Sequence, residues 1–514
     1  MSLANPHPVG LNMQQKISGF LAGLGILLLF VAFGSMNATN TSMYLWPSIA
    51  LMTIGSLWFS YAAYKDLPEG IKNNGVFFRS LTNRGILAWL AGIVITGFYV
   101  LLYWYPSYLG LGADGATNTG LVAMFDPLSQ LLKGQPASQW FVYGTLYTLA
   151  IVLLGIKFIW KYRHNRYQKI RTISVMFFQT AFAFLIPEFL QAMKLPYYDF
   201  KNMWPLNYSF FYDYSIEGFL TNGGMGLFML IFGLAMIFII SPILTYFYGK
   251  RWYCSWVCGC GGLAETAGDP FRQLSDKSTK AWKLERYLIH SVLVFVVVMT
   301  IAVVFSFLQN SGGKYLVTKD IFIGIVVAIF GGLIALTLLS KNIKTKTSKP
   351  IRISAIVVMA AIILFTVFAY VSGSGNVFFM EAYKLRSWYG FLIGAAFSGV
   401  VGVGFYPILG SRVWCRFGCP MAAILGLQQK FFSRFRISTN GAQCISCGNC
   451  STYCEMGIDV RHYAQRGQDI VRASCVGCGI CAAVCPRGVL KLENGPEESR
   501  KVFDLTDGGI KVNA

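Results

Sequence analysis

Apolar residues run along this chain in long blocks, not in the alternation of half-buried strands or the stripes of surface helices. Ten blocks of about 20 residues, the length that crosses a hydrocarbon core, lie near 17–36, 43–64, 85–105, 139–160, 172–192, 223–248, 286–307, 319–340, 353–372 and 389–409. After about residue 410 the apolar runs stop, while cysteine, glycine and charge rise. The pattern predicts a mostly α fold, a polytopic membrane bundle of about ten helices, followed by a small domain outside the bilayer. Three units are expected: 1–222 with about five spans, 223–422 with about five more, and 423–514 as the tail. Lys16 and the first block loosely fit a signal peptide, but the block is long for an h-region and no A-x-A site follows, so it is read as a retained helix.

The connecting segments carry the orientation signal. Lys65, Lys72, Arg79 and Arg84 follow the second block, and Lys161, Arg163, Arg166, Lys169 and Arg171 follow the fourth. Lys250, Arg251, Arg272, Lys277, Lys280 and Lys283 follow the sixth, and Lys341, Lys344, Lys346, Lys349 and Arg352 the eighth. The intervening connections are poorer: Lys133 stands alone in 106–138, and Lys194 and Lys201 serve 193–222. This alternation predicts a multi-pass protein of the bacterial inner membrane with both termini and all cysteines in the cytoplasm. Composition agrees: 55% of residues are hydrophobic and 13% charged, with mean hydropathy +0.53, against about 45–50% and 25% in soluble domains. The net charge of +21 falls between apolar runs and not on one polar face, which excludes nucleic acid as a partner.

All thirteen cysteines lie at or after Cys254. A reducing cytoplasm argues against a disulfide framework and for metal or redox chemistry. Eight form two copies of C-x2-C-x2-C-x3-C: Cys444, Cys447, Cys450 and Cys454, then Cys475, Cys478, Cys481 and Cys485, with Pro486 completing the second. Over about 440–493 this resembles bacterial two-cluster ferredoxins, an α+β fold holding two [4Fe–4S] clusters. In such modules the remote fourth cysteine of each run serves the other cluster. The resemblance implies one cluster at Cys444, Cys447, Cys450 and Cys485, and another at Cys475, Cys478, Cys481 and Cys454. Glu455 departs from the usual proline after Cys454 but removes no ligand. Paired zinc sites are the bland alternative for C-x2-C, though zinc ribbons do not need four cysteines in this run, repeated.

Five cysteines remain. Gly249, Arg251, Tyr253, Cys254 and Cys258 follow the sixth block; Gly410, Arg412, Trp414, Cys415 and Cys419 follow the tenth. Both sets read G-x-R-x-[aromatic]-C-x3-C, each preceded by Pro-Ile-Leu at 242–244 and 407–409. This is read as an internal repeat. On a helix, C-x3-C would put both sulfurs on one face, so two pairs would offer four thiolates to one centre. The order of paired motifs and tandem ferredoxin, over about 223–493, resembles the NapH/NosR/CcoG group of polytopic membrane ferredoxins. That resemblance implies electron transfer in nitrate or nitrous-oxide respiration or a role in oxidase assembly. Gly259 in place of proline, the extra thiol Cys260, about four spans between the motifs and the lack of a C-terminal immunoglobulin-like domain are departures. Three uses of the paired motifs stay open: a third iron–sulfur cluster at Cys254, Cys258, Cys415 and Cys419, with Cys260 able to replace one ligand; redox-active thiols or transient copper binding; or small structural cysteines at a tight turn.

Other residues bear on the path. Only His7, His164, His290 and His462 exist, which leaves no bis-histidine haem; His290 is expected to be a packing residue near a helix end. Glu188 is expected to snorkel to water among belt aromatics, its sharper alternative being a quinol proton acceptor. Asp114-Gly-Ala-Thr117 partly matches a covalent-FMN acceptor and is otherwise a glycine turn. Glu265 and Asp269 are expected to cap or salt-bridge a helix. The aromatic connections 106–138 and 193–222 are expected to pack on the membrane surface or on a partner. The leading function is electron transfer between a cytoplasmic donor or the quinone pool and a respiratory partner subunit, as a component and not a stand-alone enzyme. The alternatives are a thiol- or cluster-dependent metal-reducing assembly factor and a subunit of a redox-driven ion pump.

Overall fold

The computed structural model describes residues 10–66, 79–113, 116–312, 315–440 and 443–495. His7, Lys72, Asp114, Gly115 and residues 496–514 lie outside the described residues, and with them the FMN-acceptor reading. The long helices are α1 (Met13–Gly34), α2 (Leu45–Tyr64), α3 (Ile86–Trp104), α4 (Gln139–Lys161) and α5 (Arg166–Ala192). They continue with α6 (Gly223–Tyr248), α7 (Thr279–Asn310), α8 (Lys319–Leu339) and α9 (Lys349–Val371). A tenth, α10, joins Ala382–Tyr389 to a π-helical stretch, Gly390–Val401.

Among the described residues, eight helices are long and apolar enough to cross a membrane, the set without α2 and α10. α2 has the length, but serines, tryptophans and tyrosines temper it. α10 opens on Lys384 and Arg386 and is glycine-rich further on. α2 still pairs closely with α1 through small residues: Ser48 Oγ donates to Gly25 O at 2.8 Å, and a Cβ at Gly55 would lie 2.7 Å from Ser18 O. Such close backbone approach is how helices associate when lipid removes the hydrophobic drive.

The two aromatic connections correct the expectation of a membrane-surface or partner contact: they fold back into this chain. In the first, the short helix Gly120–Met124 is wholly buried against α1, with Thr41 Oγ1 donating to Gly120 O at 2.6 Å. In the second, Tyr198, Phe210 and Phe219 form a core with Met229 of α6, while Trp204 Nε1 donates to Thr300 Oγ1 of α7 at 3.0 Å. Glu188 is likewise corrected. It is buried and paired with Lys133 at 2.8 Å, because the amphipathic helix Asp126–Lys133 lies over the end of α5. A buried carboxylate so paired has no need of bulk water. His290 Nδ1 lies 2.6 Å from Arg286 O one turn earlier in α7, a packing role.

Beyond the bundle, α11 (Pro420–Phe432) lies against α6 and α7. The tail closes with β1 (Arg436–Thr439) antiparallel to β2 (Leu490–Glu493), Arg436 opposite Glu493 and Thr439 opposite Leu490. This ribbon clamps the two ends of the cysteine-rich segment together.

Candidate metal centre

The two membrane motifs are built on paired turns. Gly249 and Gly410 end their helices at φ of 65° and 99°, a region open to glycine at little cost. Each is also tightly covered. A Cβ on Gly249 would meet Gln429 Oε1 at 2.6 Å, and one on Gly410 would meet Ser275 Oγ at 2.5 Å. Each motif is thus covered by the segment that follows the other.

The expectation that each C-x3-C lies on one helix face is corrected. Cys254 ends the short helix Arg251–Cys254, and Cys258 is the extended residue before Gly259–Thr266. Cys415 lies in the wide turn Trp414–Gly418, and Cys419 is the extended residue before α11. A new helix starts after each second cysteine, at Pro420 in one case, where the ring forbids continuation of the preceding turn. The outcome still gathers the thiols: Cys254, Cys258, Cys415 and Cys419 share one buried cluster, with Cys260 packed on its edge. Burial pushes the Cys254 thiol up to about 12 and raises Cys415 and Cys419 as well. Cys258 is the exception, held at about 6 by a hydrogen bond from Cys260, with Lys201 adding to the effect against burial.

The surroundings of this cluster come from wide helical turns. α5 is π-helical over Phe178–Leu185 and α6 over Met236–Ile240. Gln179 of α5, Met236 and Ile237 of α6, and Ile393 and Phe397 of α10 all reach the site from such turns. π-Bulges are frequent at functional sites because the extra residue re-aims side chains. From the connection before α6, Met203 joins the thiol cluster. Lys201 Nζ donates to Gln179 Oε1 at 3.2 Å, and Gln179 Nε2 to Thr148 Oγ1 at 3.1 Å. Nothing in the sequence marked 193–222 as part of this site.

The eight tail cysteines fall into two sets. Cys444, Cys447, Cys450 and Cys485 line one cavity with Ile445, Arg461 and Arg487, and Cys447 is exposed. Cys481, Cys478, Cys475 and Cys454 gather on the other side, where burial pushes the Cys478 thiol up to about 12 and Cys454 to about 11. Buried thiols crowded together are poor places for free thiolates, and ligation requires thiolates. Both sets, and the membrane set, therefore fit a bound cation or metal–sulfur group.

The second tail set is docked into the bundle through its backbone. Gln429 Nε2 donates to Arg472 O and Cys475 O, both at 2.8 Å, and Lys250 Nζ to Ala473 O. Ser255 Oγ reaches Val476 O, Tyr167 OH reaches Gly477 O, and Gln168 Nε2 reaches Cys478 O, each at 2.8 Å. Below this lies a buried charge network. Glu265 pairs with Arg171 and Arg412, and Asp269 with Lys161 at 2.6 Å and Arg272 at 2.9 Å. Burial raises Asp269, but Lys161 and Arg272 outweigh it and hold the carboxyl below its usual range. The carboxylates of Glu265 and Glu455 and the Cys478 sulfur lie within 4.8 Å of one another, yet the arginines already occupy the carboxylates. The expected salt-bridging role of Glu265 and Asp269 holds.

Comparison with known families follows the same division. A 4Fe-4S dicluster domain matches residues 443–490, and a 4Fe-4S binding domain matches both 227–278 and 391–438. Searches of curated proteins and of solved structures found no match. With the apolar helices, these matches describe a multi-pass membrane protein carrying 4Fe-4S ferredoxin domains, the equipment of iron–sulfur electron transfer.

Proposed function

We propose that this chain is an electron-transfer component with two tail clusters and a third centre inside the bundle. Cys444, Cys447, Cys450 and Cys485 would hold the first cluster, and Cys454, Cys475, Cys478 and Cys481 the second. Cys254, Cys258, Cys415 and Cys419 would hold the third centre, with Cys260 as a hydrogen-bonding neighbour. When bound, such clusters supply one-electron exchange with little reorganisation. The chain's own residues give the path its order: Cys447 is exposed, the 472–478 backbone is bonded to the bundle, and the membrane thiols are buried. That gradient of exposure carries the reading, because a soluble partner reaches the first site alone and bulk water is kept from the last.

The lysine and arginine distribution supports a cytoplasmic tail in a bacterial inner membrane. The donor would then be a soluble one-electron carrier or the quinone pool, and the acceptor a respiratory partner of the NapH/NosR/CcoG type. The division at 222 and 422 is kept as sequence units, with the two segments of one family match read as a repeat. Iron and sulfide counting on purified protein tests the reading: about ten to twelve irons are expected, and about eight removes the membrane centre. Cys415→Ser with Cys419→Ser should lower the count while leaving the tail signals in electron paramagnetic resonance unchanged.

One observation favours a second reading. The Cys260–Cys258 hydrogen bond and the low pKa of about 6 at Cys258 suit a thiol pair that reduces or passes on a soft metal ion. Stoichiometric copper(I) on the membrane thiols, with iron confined to the tail, would replace the third centre with this assembly role.

A further inference from the structure

Glu455 stands directly after Cys454, where tandem ferredoxins carry proline. It is 1% exposed. Its carboxylate takes Arg272 Nη1 at 2.7 Å and Arg412 Nε at 2.9 Å, and its backbone oxygen accepts from Ser275 Oγ at 2.8 Å. Arg412 belongs to the second membrane motif. From the same guanidinium, Nη1 reaches Cys254 O at 3.2 Å and Cys415 Sγ at 3.7 Å. On the other side the Glu455 carboxylate lies within 4.8 Å of the Cys478 sulfur. One buried ion pair therefore touches a thiol of the docked tail site and a thiol of the membrane site.

The equivalent arginine of the first motif does something else. Arg251 donates to Asn494 Oδ1 at 2.8 Å and stacks over Phe435 at 4.7 Å. It holds the tail without approaching either thiol set through a carboxylate. The bridge is thus peculiar to Arg412, and it needs an acidic residue at 455. A proline there would leave Arg272 and Arg412 without the carboxylate that they share. Charges buried at this depth act through a low dielectric, so each is felt strongly by an electron added nearby.

We propose that the Arg412–Glu455 pair is a tuning bridge: it positions the docked tail site against the membrane site and sets the reduction potentials of the groups they hold relative to each other. Both are positioning residues and neither is a ligand. The inference rests on the reading that both sites hold iron–sulfur centres. The negative charge of Glu455 disfavours an added electron at the docked tail cluster, and the positive charge of Arg412 favours one at the membrane centre.

The test uses the purified full chain with its clusters, titrated by redox potentiometry with electron paramagnetic resonance. Glu455→Gln should shift the docked tail cluster to a more positive potential, and Arg412→Gln should shift the membrane centre to a more negative one. Glu455→Asp should restore most of the wild-type value. The cluster at Cys444, Cys447, Cys450 and Cys485 is the internal control and should not move. Shifts of opposite sign with iron content retained support the bridge, since a general disturbance of packing has no reason to change sign with charge. Retained iron with unmoved potentials in both Gln variants overturns it, and so does a shift of the same sign in both. Loss of iron from either Gln variant that Glu455→Asp or Arg412→Lys does not restore also overturns it, since the pair would then serve assembly and not tuning. A wild-type chain with no centre at the membrane thiols overturns the proposed function first, a result distinct from unmoved potentials.

Discussion

Two segments of this chain share one motif and one family match, yet they have acquired opposite duties. Over 249–278 the motif is followed by charge: Glu265, Asp269 and Arg272 enter a buried network that reaches Lys161, Arg171, Arg412 and Glu455. Over 410–438 it is followed by an apolar helix whose main polar contribution is Gln429, bonded to the tail backbone and to Lys250 N. The same turn can therefore be anchored by ion pairs or by one amide. What both keep is the close fit over a left-handed glycine and the extended second cysteine. Those features place sulfurs; the rest is free to diverge.

The largest expected effect breaks the charged half. Arg272 is fully buried, and Arg272→Leu leaves Asp269 and Glu455 short of their partner, at a cost of about 3–5 kcal/mol. The corresponding place in the second copy is Ser433, where alanine should change stability by under about 0.5 kcal/mol. Thermal unfolding of the two variants in one detergent measures the contrast; equal midpoints would show that the charge network does not stabilise the fold. Next comes Gln429→Leu, which strips a buried acceptor from Lys250 N and a donor from the carbonyls of Arg472 and Cys475. Leaving such groups unpaired should cost about 3 kcal/mol. It should also speed amide exchange across 472–478 while leaving 444–450 unchanged, which hydrogen-exchange mass spectrometry reads directly.

Much of this molecule is legible in its residue pattern, and the failures share a cause. Apolar blocks predicted the helices because lipid imposes length and polarity locally. The two cysteine runs predicted their sets because a cube of iron and sulfur fixes ligand spacing over a dozen residues. What pattern cannot show is which buried charge meets which. Arg171 reads as one more basic residue at a span end, and Glu455 as a missing proline, until the fold brings each against a partner far along the chain. Glu188 misled for the same reason: Lys133, its partner, lies 55 positions earlier, within a connection that looked solvated. Lys201 and Met203 misled because an aromatic loop between spans usually covers an interface, whereas here it fills space beside thiols.

The smallest contrast concerns the residue after each second cysteine. Pro420 opens α11 at a position where its missing N–H costs nothing and its fixed φ suits the first turn. Gly259 holds the same place before Gly259–Thr266, and no hydrogen bond calls for its N–H in holding Cys258, whose backbone donors are Gly261 and Cys260. Backbone geometry alone would thus accept proline in both copies. Space does not: a Cβ on Gly259 would lie 2.5 Å from Gln179 Oε1 and 2.9 Å from Lys201 Nζ. Gly259→Pro should therefore cost about 1–3 kcal/mol through displaced neighbours. Pro420→Gly should cost about 1 kcal/mol or less, through a more flexible unfolded chain. If Gly259→Pro is instead neutral, Lys201 and Gln179 are free to move aside, and the glycine is no adaptation to them. A Gly259→Pro cost that Lys201→Ala relieves would show that the first copy gave up its proline to admit this lysine beside Cys258.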